Sequence, residues 1–314
     1  TALLWLHFQQ ALGVRPLKAQ PRRSTTTRLW TGGTPTFFSP EHLSRLMRGI
    51  FKLTSRGSAP ELSFEGHPNN TTKEQLQALF DVGFTRVSYG VQDYNPQVQK
   101  AIHRIQSYEQ VRLVTEWARE IGYTSISHDL VFGLPFQTKD SMVDTIQKTK
   151  SLQPDRISFY SYAHVPWIKG NGQRGYKNED LPTAEEKTAQ YNLGKQLLQE
   201  ADYTDIGMDH FALPTDTLYT SMIEKRLHRN FMGYTASKTQ MMIGLGVSSI
   251  SDSWYGFAQN VKDITSYYNL LDKNQIPVYR GHILNSEDLI IRTHILNLMC
   301  HFETIILGWI QFHP

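Results

Sequence analysis

Cysteine is almost absent: Cys300 is the single one in 314 residues. A disulfide framework within the chain is therefore excluded. Long apolar runs are missing too, and no stretch reaches the ~20 apolar residues of a membrane span. The segment from Leu3 to Phe8 is apolar, but it is too short for a signal-peptide core and has no basic stretch before it. These absences leave the cytoplasm as the expected compartment, with no membrane partner. An excess of one charge is also missing, since the formal net charge is +3. No cationic run is long enough to make nucleic acid the main partner. Arg22-Arg23, followed by Ser24 and three threonines, reads as a solvated loop. The chain opens at Thr1 without methionine, in the middle of a helical apolar spacing. It closes after an apolar run from Ile305 to Ile310. Both ends read as cuts within a longer protein.

What is present suits a large α/β domain. The chain is 39% hydrophobic and 19% charged, as expected for one barrel or a barrel with an appendage. From Glu61 to Pro135 the pattern is strand, helix, strand, helix, strand. Helix starts are marked by Thr71 to Glu74, Ser107 to Gln110, Thr138 and Thr183 to Glu186, and Gly122 sits at a helix end. Further strands are expected over 155–160, 204–208 and 244–251, and the chain reads as helical from Tyr267 onward. Strands alternating with helices of this length argue for a parallel sheet.

Three strands end in a polar residue that a plain core strand would not carry: Glu65, Gln92 and Asp129. In a parallel α/β barrel, sites are built at the C-terminal ends of the strands. One such residue alone is ordinarily a helix cap or a loop residue. Three on consecutive strands argue for convergence above one barrel mouth. A buried carboxylate such as Asp129 then needs a donor or a ligand nearby.

Several segments, in this order, resemble one family. They are Gly32-Gly33-Thr34-Pro35, Gly90-Val-Gln92-Asp93, Asp129-Leu-Val-Phe-Gly133-Leu-Pro135, Tyr162-Ala-His164, Gly207-Met-Asp-His-Phe-Ala212, His228-Arg-Asn-Phe-Met-Gly-Tyr234 and Gly246-Val-Ser-Ser-Ile250-Ser. Together they are similar to the oxygen-independent coproporphyrinogen III oxidases (coproporphyrinogen dehydrogenases) of the radical S-adenosylmethionine (SAM) superfamily. The match runs from about Trp30 to Phe302. The fold it implies is α/β, a partial (β/α) barrel over residues 1–265 with a family-specific extension, then the start of a C-terminal helical domain over 266–314.

The resemblance also implies an activity. A [4Fe-4S] cluster cleaves SAM to a 5′-deoxyadenosyl radical. Two propionates of coproporphyrinogen III then become vinyl groups, giving protoporphyrinogen IX in anaerobic haem biosynthesis. It implies an electron donor and a monomer. Carried over by position, Gly32 and Gly33, with Thr34 beside them, approach the methionine end of SAM. Glu65 and Arg104 contact bound SAM, Gln92 and Asp129 grip its ribose and methionine groups, and Ala163 and Ile250 lie beside the ligands. No catalytic residue is assigned. His210, His228 and Arg229 are candidates for the substrate side, because tetrapyrrole carboxylates want cations. The family holds its cluster with three cysteines in a CxxxCxxC loop. This sequence has no such loop, so no metal ligand is assigned here, the first barrel strand is expected to be missing, and the chain alone is expected to be inactive. The alternative is a cluster-less relative that carries haem or another tetrapyrrole.

Overall fold

The computed structural model describes residues 24–30, 34–53, 55–165, 167, 175–238 and 241–305. The backbone divides into two compact units. One holds residues 28–47 and 61–220, and the other holds the described residues among 1–27, 48–60 and 221–314.

In the first unit, period-2 patterning sets the sheet. The sheet's strands are β1 (Ser24–Trp30) and β2 (Ser55–Gly66), of which residues 28–30 and 61–66 belong to this unit, then β3 (Arg86–Gln92), β4 (Ser125–Phe132), β5 (Arg156–Ser161), β6 (Thr204–Gly207) and β7 (His210–Ala212). The sheet order is β1-β2-β3-β4-β5-β7-β6. Strands β2 to β5 run parallel, while β7 is antiparallel to both β5 and β6. The sheet is therefore mixed, and its parallel part matches the expectation from the strand–helix alternation. Residues 204–211, expected as a strand and its polar tail, instead form a tight hairpin. Ser24 to Thr27 is extended within β1, not a loop, since threonine's β-branching favours the pleated backbone.

One face of these strands carries Leu62, Phe64, Val87, Tyr89, Val91, Ile126, Leu130, Phe132, Ile157 and Phe159, all buried. The described α-helices up to residue 223 are α1 (Pro40–Leu53), α2 (Lys73–Asp81), α3 (Pro96–Ala101), α4 (Tyr108–Ile121), α5 (Lys139–Leu152), α6 (Ala184–Gln199) and α7 (Thr217–Ile223). Val111, Met142, Ile146 and Leu198 from α4, α5 and α6 join the strand residues in one core cluster. The helix starts follow the capping chemistry. Thr72 pairs reciprocally with Gln75, Thr138 with Ser141 and Thr183 with Glu186, and Ser107 accepts from the Gln110 amide. The α2 cap falls at Thr72 rather than Thr71. Thr71 instead donates its hydroxyl to the His67 carbonyl at 2.9 Å.

The second unit is built on a four-stranded antiparallel sheet of β10 (Met241–Met242), β11 (Ile250–Ser253), β12 (Gly256–Asn260) and β13 (Val278–Ile283). It also has a hairpin, β8 (His228–Asn230) with β9 (Gly233–Thr235), and helices α8 (Ile264–Asp272) and α9 (Ser286–His301). The β13 strand interrupts the helical run expected beyond Tyr267, because its ladder with β12 satisfies that backbone. The strand expected over 244–251 begins only at Ile250.

Candidate functional site

The opposite face of the parallel strands is polar. Ser88, Asp129 and Ser158 share it. Gly90 of β3 is opposite Asp129, and Asp129 is opposite Ser158. Ser88 Oγ donates to Asp129 Oδ2 at 3.1 Å. Glu61 and Arg86 form an ion pair at the lower end of this face. Glu65 is two residues before the chain turns off β2, and its register partner is Ser88. Asp129 thus sits between two hydroxyl-bearing strands, with Glu65 at the far rim.

The electrostatics follow from that placement. Burial pushes the Asp129 carboxyl above the ordinary range, while hydrogen bonds from Ser158 and Ser88 and the Arg104 charge pull it back. Glu65 keeps solvent on one side by surface area, yet the crowded strand ends desolvate its carboxylate enough to raise it. The Asp129 charge raises it further. Arg104 is lowered by burial and held up by Asp129. His67 is lowered by burial and by the nearby Arg104 charge. Glu65, Asp129, Arg104 and His67 therefore share one electrostatic neighbourhood.

Gln92 and Arg104 meet over Gly90. Gln92 has φ of 68° and follows a register shift in β3. The bulge turns its side chain back toward Gly90. Arg104 reaches in from the loop after α3, and its Nη2 donates to the Gly90 carbonyl at 2.8 Å. A Cβ on residue 90 would lie 2.7 Å from Arg104 Nη2 and 2.8 Å from Gln92 Nε2. Any side chain at residue 90 would have to displace these two groups, which converge on it from two sides. Arg104 Nε is buried without a hydrogen-bond partner. A buried guanidinium N–H without an acceptor is costly, and it suits a carboxylate arriving from outside.

The loop around Thr34 is fastened to the same strand end. Thr34 is extended and part-buried, and its carbonyl accepts from the Phe37 amide. Gln75 donates to the carbonyls of Thr36 and Phe38 at 2.8 and 2.7 Å. The His67 amide donates to Thr36 Oγ1 at 3.4 Å. Gly32 and Gly33 lie outside the described residues.

The remaining candidates are dispersed. Ala163 is exposed just beyond β5, and His210 begins β7. His228, Arg229 and Ile250 belong to the second unit. There, Arg229 stacks on the Tyr234 ring at 4.8 Å, and its Nη1 is buried without a partner. His228 is lowered chiefly by burial. Cys300, buried in α9, is raised by burial, the inert state expected of a core thiol. Among the described residues there is no group of three or more His, Cys, Asp or Glu that could hold a metal. No described helix is long and apolar enough to cross a membrane.

A glutamine relay behind the site escaped sequence reasoning. Gln106 Nε2 donates to the carbonyls of Gly90 and Val91 at 3.0 and 2.6 Å. Gln99 donates to Asp93 and Gln106 carbonyls at 2.8 and 2.6 Å. Gln137 Nε2 donates to the fully buried Asp93 at 2.7 Å, and its Oε1 accepts from the Gly133 amide at 2.7 Å. Gln190 donates to the Gln137 carbonyl at 2.9 Å. The ends of β3 and β4 are thus locked by amides, each of which can both donate and accept. The available signal was Asp93, a carboxylate directly after Gln92 in an apolar neighbourhood. Ser88, two residues before Gly90 and four before Gln92, and Ser158, three before the end of β5, are further hydroxyls on the site's own face.

The family model of the radical SAM superfamily matches residues 14–149. The oxygen-independent coproporphyrinogen III oxidase of Helicobacter pylori (strain J99) is 41% identical over 273 residues, covering 87% of this chain and 60% of the relative. Its namesake in Escherichia coli K12 is 39% identical over 274 residues, with the same two coverages of 87% and 60%. The chain therefore spans about three fifths of the length of these curated relatives. The solved structure of Escherichia coli coproporphyrinogen III oxidase, described as a radical SAM enzyme, superposes with a TM-score of 0.88 at 37% identity. That superposition covers 96% of this chain and 68% of the solved one.

Proposed function

The chain belongs to the oxygen-independent coproporphyrinogen III oxidase family of the radical SAM superfamily, and on that premise we propose that its polar sheet face binds SAM for the oxidative decarboxylation of coproporphyrinogen III. The observation that carries this reading is the convergence of Glu65, Asp129 and Arg104, with Arg104 Nε buried and unpartnered. SAM is a zwitterion with a carboxylate, an ammonium, a sulfonium and ribose hydroxyls. Arg104 suits the carboxylate. Glu65 and Asp129 suit the cationic and hydroxyl donors, and the Gln92 amide suits either kind of group. Gly32, Gly33, Thr34 and Ala163 are assigned to the same ligand by position in the family's motifs, and Ile250 of the second unit is assigned by resemblance alone. Bound there, SAM supplies the hydrogen-abstracting chemistry, and the protein orients it and excludes water.

The overall change at each propionate balances as –CH2–CH2–COO⁻ giving –CH=CH2, CO2, one hydrogen atom and one electron. Done twice, it yields protoporphyrinogen IX, in the anaerobic branch of haem biosynthesis. The released electron requires an acceptor, and an electron donor is a second proposed partner. We assign the protein to the cytoplasm as a monomer, without nucleic-acid or membrane partners. Radical SAM enzymes also use a [4Fe-4S] cluster. A single thiol cannot supply its three cysteine ligands, so these 314 residues do not hold that cluster. The oxidase names of the relatives do not favour the carrier alternative.

The test is calorimetric titration of the chain with SAM, beside the Asp129→Asn variant. Saturable binding that weakens at least tenfold in the variant is expected. No SAM binding by the wild-type chain, or equal binding by both, overturns the reading.

A further inference from the structure

The hairpin after α6 has an unusual turn. Its two loop residues, Met208 and Asp209, have φ of 43° and 65°, after Gly207 at 118°. Two positive-φ residues between antiparallel strands match the right-handed strand twist, but asparagine and glycine are the usual occupants. Methionine there is strained and is also 51% exposed. Strain of this kind persists where the surrounding structure holds it, and it clusters at ligand-handling positions.

The strained turn orients His210. The Met208 carbonyl lies 2.7 Å from His210 Nδ1. A carbonyl only accepts, so Nδ1 carries the proton and Nε2 of the neutral ring is an acceptor. Tyr160 Oη lies 3.2 Å from Nε2 and donates to it, and the two rings pack edge to face. Tyr160 is on the polar sheet face, two residues beyond Ser158, which bonds Asp129. It is opposite Val131, and His210 is opposite Ser158. From strand spacing and rise, the Tyr160 Cα is roughly 8 Å from that of Asp129. The pair thus stands one step outward from the proposed SAM site, and Tyr160 is 39% exposed.

We propose that Tyr160 and His210 form a two-donor subsite for one carboxylate of the substrate. This rests on the tetrapyrrole reading above and extends it to a named contact. A carboxylate that replaces the Tyr160–His210 hydrogen bond, the two side chains parting to admit it, accepts from Tyr160 Oη and from His210 Nε2, which takes a proton from solvent while Nδ1 stays on the Met208 carbonyl. Among the described residues, Asp209, next in the chain, is hydrogen-bonded to Tyr191 of α6, and Asp205 of β6 pairs with Lys195 at 2.7 Å. Asp129 is across the face, beyond Ser158.

Two measurements test this on the full chain. Fluorescence titration compares coproporphyrin III with its tetramethyl ester, for wild type, Tyr160→Phe and His210→Gln. Each substitution is expected to weaken the tetra-acid about tenfold or more and to leave the ester within twofold. Histidine 15N spectra during a sodium propionate titration should show His210 Nε2 changing from hydrogen-bond acceptor to N–H. Equal losses for acid and ester, or no loss for the acid, overturn the subsite. If wild type binds no porphyrin but propionate still protonates Nε2, the tetrapyrrole reading fails and the carboxylate subsite stands. If propionate leaves Nε2 unchanged, the subsite fails. Tyr160→Phe keeps the test open should His210→Gln fail to fold.

Discussion

Gly90→Ala separates the site from the fold. The added methyl would lie 2.7 Å from Arg104 Nη2 and 2.8 Å from Gln92 Nε2, closer than such contacts allow. Both atoms end flexible side chains, so they swing away and the backbone stays. Removing a strand glycine recovers about 0.4–1 kcal/mol through the unfolded chain. Losing the Arg104 bond to the Gly90 carbonyl costs about 1.5–3 kcal/mol, the range for a charged donor. Net stability therefore falls by about 0.5–2.6 kcal/mol. The ligand feels more. If Arg104 makes a bond of the same class to the SAM carboxylate, displacing it weakens binding about 10- to 150-fold. Urea unfolding and SAM calorimetry on the same preparation read both quantities. Affinity within threefold of wild type would refute the placement of Arg104 and Gln92 in the site. A stability loss beyond about 4 kcal/mol would refute it differently, by making the cluster a structural prop.

The raised carboxyls make a pH prediction. Folded Asp129 and Glu65 hold protons above their unfolded range. Between the unfolded pKa and the folded one the native state binds more protons, so stability falls as pH rises through that window and is flat above it. Urea midpoints from pH 4 upward should show this slope, and Asp129→Asn should flatten it; an unchanged slope counts against the burial argument. SAM affinity should rise over the same window, since the cation prefers the ionised pair. Gln137→Leu strips the amide from buried Asp93, the nearer of two acceptors from the Gly133 amide, and the acceptor from the Leu134 amide. It should cost about 2–4 kcal/mol of unfolding free energy, and a loss under about 1 kcal/mol would show that the relay is not what locks the strand ends.

Legibility differed with the length scale of the cause. The parallel strands and their helices were legible because each follows from local spacing and caps. Thr138 and Thr183 read as caps because the partner lies three residues on. The barrel-mouth residues Glu65, Gln92 and Asp129 were legible because a polar group at a strand's end needs a reason. Arg104 was not legible from the residues alone. Its role depends on a 14-residue reach back to Gly90, and resemblance supplied it. The hairpin over 204–212 was missed because its turn uses methionine and aspartate where glycine or asparagine would have signalled it. The β13 strand was missed because every residue in it is exposed, so no alternation marks it.

His128 and Asp129 show why face decides function here. They are adjacent polar residues in one apolar strand, and composition gives neither priority. His128 points to the helices. Its Nε2 lies 3.0 Å from Thr115 Oγ1, which itself donates to the Val111 carbonyl at 2.7 Å. The hydroxyl proton is thus spent, and the imidazole must donate. Burial, with Arg119 adding to it, holds the ring neutral, with a pKa lowered to about 3. It behaves as a packed core residue at any physiological pH. Asp129 points the other way, onto two serines and an arginine. The period of 2 places one residue in the core and the next in the site. A one-residue slip of β4 would bury the carboxylate against α4 and turn the imidazole to the polar face, so the apolar alternation of Ile126, Leu130 and Phe132 that packs the core also aims the carboxylate.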